Sequence, residues 1–203
     1  SSSYKIMVCL AIFDLLSLFT NSLVTGYFAY QGLSYCDHQL FIFICGAMGF
    51  GCWLGCSISC VTLALCRIAE LNPQLPLAFQ GWGWPMRLIL CLIFLVAAYG
   101  TLLTKPVIFH LEFMSWFFDP GVGQDPNLYT NLYHTVNNIT MAVLTSALYA
   151  ILCYSIFRKT NGVSMQISHS QRQFCYQAVV ICVVHGVSSS VYVYMQFFYT
   201  PEW

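Results

Sequence analysis

The chain has 203 residues, 59% of them hydrophobic and only 7% charged, with zero formal net charge. A soluble domain carries roughly a quarter charged residues, so this chain lacks the polar surface to face water on all sides. Its neutral balance (pI ≈ 6.9) argues against a nucleic-acid partner, which requires a basic face.

The composition predicts a polytopic membrane protein whose main partner is the lipid bilayer. The chain opens Ser1-Ser2-Ser3-Tyr4-Lys5 without an initiator Met and stops at Thr200-Pro201-Glu202-Trp203, directly after an apolar run. It therefore reads as a portion of a longer protein. Helices are the expected spans, because an open strand cannot satisfy its backbone in lipid.

The first apolar run is Ile6–Tyr30. Asp14 is the carboxylate inside it, eight residues past Ile6 and so roughly 12 Å along the helix. A buried acid at that depth is costly and faces a bundle interior or a wet cavity, which marks a switch or an ion site. The plainer alternative is a protonated packing residue.

The second run, Leu40–Leu65, is the centre of the pattern. Its 26 uncharged residues exceed what a crossing of about 30 Å needs. Cys52, Cys56 and Cys60 recur every four residues, with Gly49, Gly55 and Ser59 nearby. Positions four apart share a helix face, and small side chains let neighbouring helices approach closely. This helix is expected at the crowded middle of a bundle. Three Cys stacked on one helix do not surround an ion, so no metal is expected. Ten of the eleven Cys lie within or at the ends of apolar runs, where a thiol acts as a small hydrophobe.

Arg67 and Glu70 close the second run one turn apart. They can form a surface pair or an ionic latch between the inner ends of helices. The following segment, Leu71–Pro85, carries Trp82 and Trp84, suited to the membrane interface.

The third run is Met86–Thr104. After it, Lys105–Thr130 is the longest outer connection, rich in aromatics (Phe109, Phe113, Trp116, Phe117, Phe118) and in turn signals at Asp119-Pro120-Gly121 and Asp125-Pro126-Asn127. It either lies on lipid headgroups or folds over a cavity as a lid. The fourth run is Tyr133–Phe157. Asn138-Ile139-Thr140 matches a glycosylation acceptor but sits too deep in this run to be modified. The polar segment Arg158–Gln173 suits docking of a soluble partner. The fifth run, Phe174–Tyr199, carries His185 at a depth similar to Asp14.

Sidedness follows from the basic residues. With the start of the chain cytoplasmic, Lys5, Arg67, Arg87, Arg158, Lys159 and Arg172 fall inside and Lys105 outside.

The pattern Val8-Cys9-Leu10-Ala11-Ile12-Phe13-Asp14-Leu15-Leu16 resembles the aspartate-bearing second helix of heptahelical G-protein-coupled receptors. Cys66-Arg67-Ile68-Ala69-Glu70 resembles a degenerate form of the arginine motif that ends their third helix. A closer resemblance is to the nematode serpentine chemoreceptors of class T. Its carriers are Thr104-Lys105-Pro106, Trp116-Phe117-Phe118-Asp119-Pro120, His134-Thr135-Val136-Asn137-Asn138 and the Cys-rich helix ending in Cys-Arg-x-x-Glu.

The resemblance implies an all-α, polytopic transmembrane bundle: residues 1–203 as one transmembrane domain whose five spans correspond to helices two to six, lacking the first and last. It implies a small-molecule ligand, with Trp116, Phe117, His134 and Asn138 as candidate contacts. It also implies a heterotrimeric G protein, with Asp14, Arg67, Glu70, Arg158 and Lys159 as switch and coupling residues. The implied location is the plasma membrane, or a sensory cilium. Three features depart from the rhodopsin-like pattern: the outer loop has no Cys, the fifth run has no proline, and Cys66 stands where an acid is usual.

Two other functions compete. A transporter or channel would use Asp14 and His185 as an ion or proton path, but internal repeats and Gly/Pro breaks at mid-membrane are not evident. An intramembrane enzyme would use Ser57 and His185, although Ile58 follows that Ser and no geometry is shown. No enzyme activity and no cofactor are expected.

Overall fold

The computed structural model describes residues 2–71, 83–120, 123–161 and 169–197. Most of the loop predicted at 71–85, the turn at Gly121, the end 200–203 and the side chain of Arg172 lie outside these residues. In chain order come α1 (Ser2–Leu18), a π-helical turn (Phe19–Val24), α2 (Thr25–Gln31), α3 (Gln39–Leu71), α4 (Trp84–Leu103), β1 (Ile108–His110), β2 (Ser115–Phe117), a 3-10 turn (Pro126–Leu128), α5 (Leu132–Asn161) and α6 (His169–Phe197).

The first predicted run is one span. Leu18, Val24 and Thr25 all keep right-handed helical backbone, so α1, the π turn and α2 run on as a single rod. The π turn has a local cause: Thr25 Oγ1 donates to the Thr20 carbonyl five residues back, at 3.1 Å. The rod stops at Gly32 (φ 64°), where the Gly32 and Leu33 amides return to the Ala29 and Phe28 carbonyls. That left-handed stop is one glycine accepts without a steric penalty.

Among the described residues four helices are long and apolar enough to cross a membrane: Ser3–Gln31, Gln39–Glu70, Trp84–Leu103 and Leu132–Arg158. The fifth run is helical as α6, with a shorter apolar stretch, Cys182–Met195, over the described residues. The segment read as a polar connection, Arg158–Gln173, is partly helical too, since α5 continues to Asn161 and α6 begins at His169. Gln and Arg are good helix formers, so helices extend past the apolar span.

The middle helix holds the bundle. α3 packs against α1, α4 and α5, and α6 packs on α5. Two-thirds of the apolar window of α3 is buried, against a third or less in the other three spans. Cys52, Cys56 and Cys60 are all buried. Contact with α4 is close enough that a methyl group on Gly51 would overlap the Thr101 hydroxyl and approach the Ala97 carbonyl. In lipid, where apolar burial drives little, such backbone approach is what packs helices together.

Depth can be read along α3. At one end Gly46 lies under the Val107 carbonyl, just past Lys105. At the other end Glu70 accepts a hydrogen bond from Ser3. From position 46 to Arg67 the α-helical rise covers roughly 31 Å, about one hydrocarbon thickness. Lys105 and Arg67 therefore sit at opposite ends of the bundle, as the basic-residue pattern requires.

The outer connection contains structure that its turn signals did not announce. β1 and β2 form an antiparallel hairpin with Phe109 opposite Trp116. Its β-branched and aromatic residues suit strands, and Met114 (φ 46°) closes the tight bend.

Candidate functional site

At the outer end, α5 is started by Asn131, whose Oδ1 accepts the His134 amide at 3.2 Å, an N-cap by the usual side-chain route. The Asn131 amide group also donates to the Lys105 carbonyl at 2.9 Å. Lys105 Nζ in turn donates to the Leu128 carbonyl at 2.6 Å. Lys105 is thus a staple of the outer loop, holding the end of α4 to the start of α5.

One turn along α5 a polar triad forms. Trp53 Nε1 donates to Asn138 Oδ1 at 3.0 Å, and Asn138 Nδ2 lies 3.0 Å from His134 Nε2. An indole N–H only donates, so the amide oxygen must face Trp53 and the amide nitrogen must face His134. His134 Nε2 then accepts, and the ring carries its proton on Nδ1. Asn138 is fully buried, which closes the glycosylation motif to modification. The neighbouring Asn137 donates to Ser57 Oγ at 3.2 Å.

Aromatic rings enclose the imidazole. Phe118, Phe50 and Tyr192 lie with ring centroids 4.9, 5.8 and 6.0 Å from it. Phe118 meets Phe50 edge-on at 5.9 Å. Residues from α3, α5, α6 and the outer loop thereby converge on one histidine.

Trp116 and Phe117 point apart. Successive strand residues face opposite sides of a sheet, so Trp116 is buried against Phe28 and Phe109. Its indole N–H donates to Thr25 Oγ1 at 2.7 Å. Phe117 instead packs on Phe113 and His110 within the hairpin. Of the four candidate ligand contacts, His134 and Asn138 come together, whereas Trp116 fastens the loop and Phe117 stays on it. Phe118, Phe50, Trp53 and Tyr192 belong to the cluster but were not singled out. For Phe118 a signal existed: in 116–118, alternation turns the third residue to the same side as Trp116.

At the opposite end Arg67 and Glu70 pair at 3.5 Å. Glu70 Oε1 accepts the Ser3 hydroxyl at 2.8 Å, and Arg67 reaches the Met7 sulfur at 3.3 Å. The pair therefore ties α3 to the start of α1. Arg158 is exposed on α5, two residues past Ile156, which packs in the same cluster as Ile68. The side chains of Lys159 and His185 lie outside the described residues.

Between the two ends, Cys56 Sγ donates to Asp14 Oδ1 at 3.2 Å. Asp14 is otherwise exposed, so it sits on the flank of the α1–α3 seam and not in its interior. Ser57 is fully buried.

The family model described as "Serpentine type 7TM GPCR chemoreceptor Srt" matches residues 1–203, the whole chain. The chain belongs to the Srt family. As a member of this seven-helix receptor family it is a multi-pass membrane protein. It is 26% identical over 201 residues to Serpentine receptor class T-55 of Caenorhabditis elegans, covering 98% of this chain. The Srt chain spans 55% of that relative's length. No solved structure matches it.

Proposed function

We propose that this Srt chain is the sensing part of a plasma-membrane receptor, in a sensory cilium where the cell has one. An external small molecule is read at the His134 cluster and reported to an intracellular heterotrimeric G protein. The observation that carries the reading is the convergence of four elements on His134, with Phe118 brought there by the outer loop. A ligand with an aromatic or compact apolar face displaces Phe118 from its place beside His134 and Phe50. It then competes for the hydrogen bonds of the His134–Asn138–Trp53 triad.

A ligand shifts a receptor only by its differential affinity for two packings. α3 is the element able to transmit that difference, since Phe50 and Trp53 stand in the cluster while Arg67 and Glu70 stand at its far end. Loosening of the Arg67–Glu70–Ser3 contact frees the inner ends, with Arg158 and Lys159, for the G protein. Asp14, bonded to Cys56 midway, sets the balance between packings.

The test is a panel of small odorous and water-soluble molecules applied to cells that express the receptor with a broadly coupling G protein. The expected result is a response to at least one chemical class that is lost in His134→Ala at unchanged surface level. A response that persists undiminished in both His134→Ala and Trp53→Phe overturns the site.

A further inference from the structure

A second binding place lies in the seam between α5 and α6. A cavity of ≈ 340 Å³ is lined there by Ile139, Ser189, Ser190, Val193 and Tyr194. Ile139 is seven residues into α5, roughly 10 Å from its outer end by the helical rise, within the depth of the hydrocarbon. Ile139, Ser190 and Tyr194 are exposed, so the cavity has a mouth on the surface of the bundle.

The two serines behave differently. Ser190 donates to the Gly186 carbonyl at 2.7 Å, the usual resort of a serine inside a helix. Ser189 is 3% exposed, yet among the described residues its hydroxyl has no hydrogen-bond partner. A buried hydroxyl left unpaired among apolar groups is costly, and this one borders an open volume.

We propose that the seam binds an amphiphile: a flexible alkyl body between Ile139 and Val193, with one hydroxyl or carbonyl head on Ser189. The volume holds roughly ten heavy atoms at the ≈ 30 Å³ a water-sized group takes. A medium-chain alcohol has this chemistry, whether it arrives from the bilayer or from outside the cell. The site shares no lining residue with the His134 cluster, and its test reads binding and not signalling, so it holds or fails independently of the proposed function.

The test uses the receptor in phospholipid nanodiscs, a ten-carbon alcohol bearing a photoreactive diazirine, and the matched alkane without the hydroxyl. Crosslinks are expected on Ile139, Val193 and Tyr194, with the alcohol labelling about 5-fold better than the alkane, in the range of one hydrogen bond. Ser189→Ala should bring the two probes level while the alkane still labels. Val193→Trp, which fills the volume, should remove both. Equal labelling by the two probes in the unaltered receptor overturns the proposal, as does labelling spread evenly onto Leu92 and Leu95 of α4. Mass spectrometry of receptor purified without added alcohol then separates the sources. A retained alkyl species identifies a membrane lipid as occupant, and an empty seam that fills on addition identifies an external one.

Discussion

The Trp116 indole reaches the Thr25 hydroxyl across 91 residues of chain, at 2.7 Å. The Thr25 hydroxyl in turn donates a hydrogen bond to the Thr20 carbonyl inside the π turn. The outer loop is therefore joined to the first span by a chain of hydrogen bonds and a ring cluster. Trp116→Phe keeps most of the ring packing and removes the donor. It should cost about 1 kcal/mol, the net worth of one hydrogen bond. Thr25→Val should cost a similar amount, and the double variant should cost less than the sum. Thermal unfolding of the three variants in detergent measures the coupling.

The Asn138 amide serves two aromatic partners, so its loss should exceed that of an ordinary polar side chain. Asn138→Leu takes the acceptor from the half-buried Trp53 N–H, a penalty of about 1 kcal/mol, the low end for such a loss. Trp53→Phe in the same background removes the stranded donor and should recover part of the loss. Unfolding midpoints of the single and double variants decide this; an undiminished penalty in the double variant rejects the pairing.

The Arg67–Glu70 pair is partly exposed, and such pairs contribute about 0–1 kcal/mol. Glu70→Gln keeps an acceptor for Ser3 and removes the charge. If the pair holds the resting packing, ligand-free G-protein activation should rise by about 2–5-fold, the shift that such an energy gives. Ser3→Ala should act in the same direction. Basal activation at matched surface expression is the measurement.

Asp37 makes the outer turn between α2 and α3 sensitive to acid. The Ser34 hydroxyl and amide donate to its Oδ2 at 2.8 and 3.0 Å and hold its carboxyl below the usual aspartate range. A carboxyl depressed in the folded state adds order above its ordinary range and loses it as pH falls through the folded value. The protection of the Ser34 amide, measured against its intrinsic exchange rate, should hold at neutral pH and fall only below the usual carboxylate range. In Asp37→Asn that acid-triggered change should disappear.

Crowding along α3 gives a packing prediction. Gly51→Val puts its Cβ against the Thr101 hydroxyl and the Ala97 carbonyl and adds two further methyl groups, an overpacking that costs about 1–3 kcal/mol or more. Surface expression should fall sharply, while Gly186→Ala, with nothing within 4 Å of the added carbon, should leave it unchanged.

Length, apolarity and the placement of seven cations carry far. The spans, the central place of Leu40–Leu65, the opposed ends of Lys105 and Arg67 and the family all follow from residue order. Each depends on one-dimensional quantities: run length against bilayer thickness, small residues at helical spacing, and charge at run ends.

Other features depend on which side chains meet, and linear order does not encode that. Trp116 and Phe117 are equal as aromatic neighbours in a loop, until a hairpin sends one down to Thr25 and leaves the other half-buried on the hairpin's opposite face. Asp14 has the depth of an interior acid, yet the rotation of α1 about its axis sets it on a flank against Cys56. Trp53 and Asn138 are 85 residues apart, and only the packing of α3 against α5 makes the tryptophan a donor to the asparagine that faces His134. Helix rotation and strand pleat are settled by packing that many residues share, so no single stretch of the chain announces them.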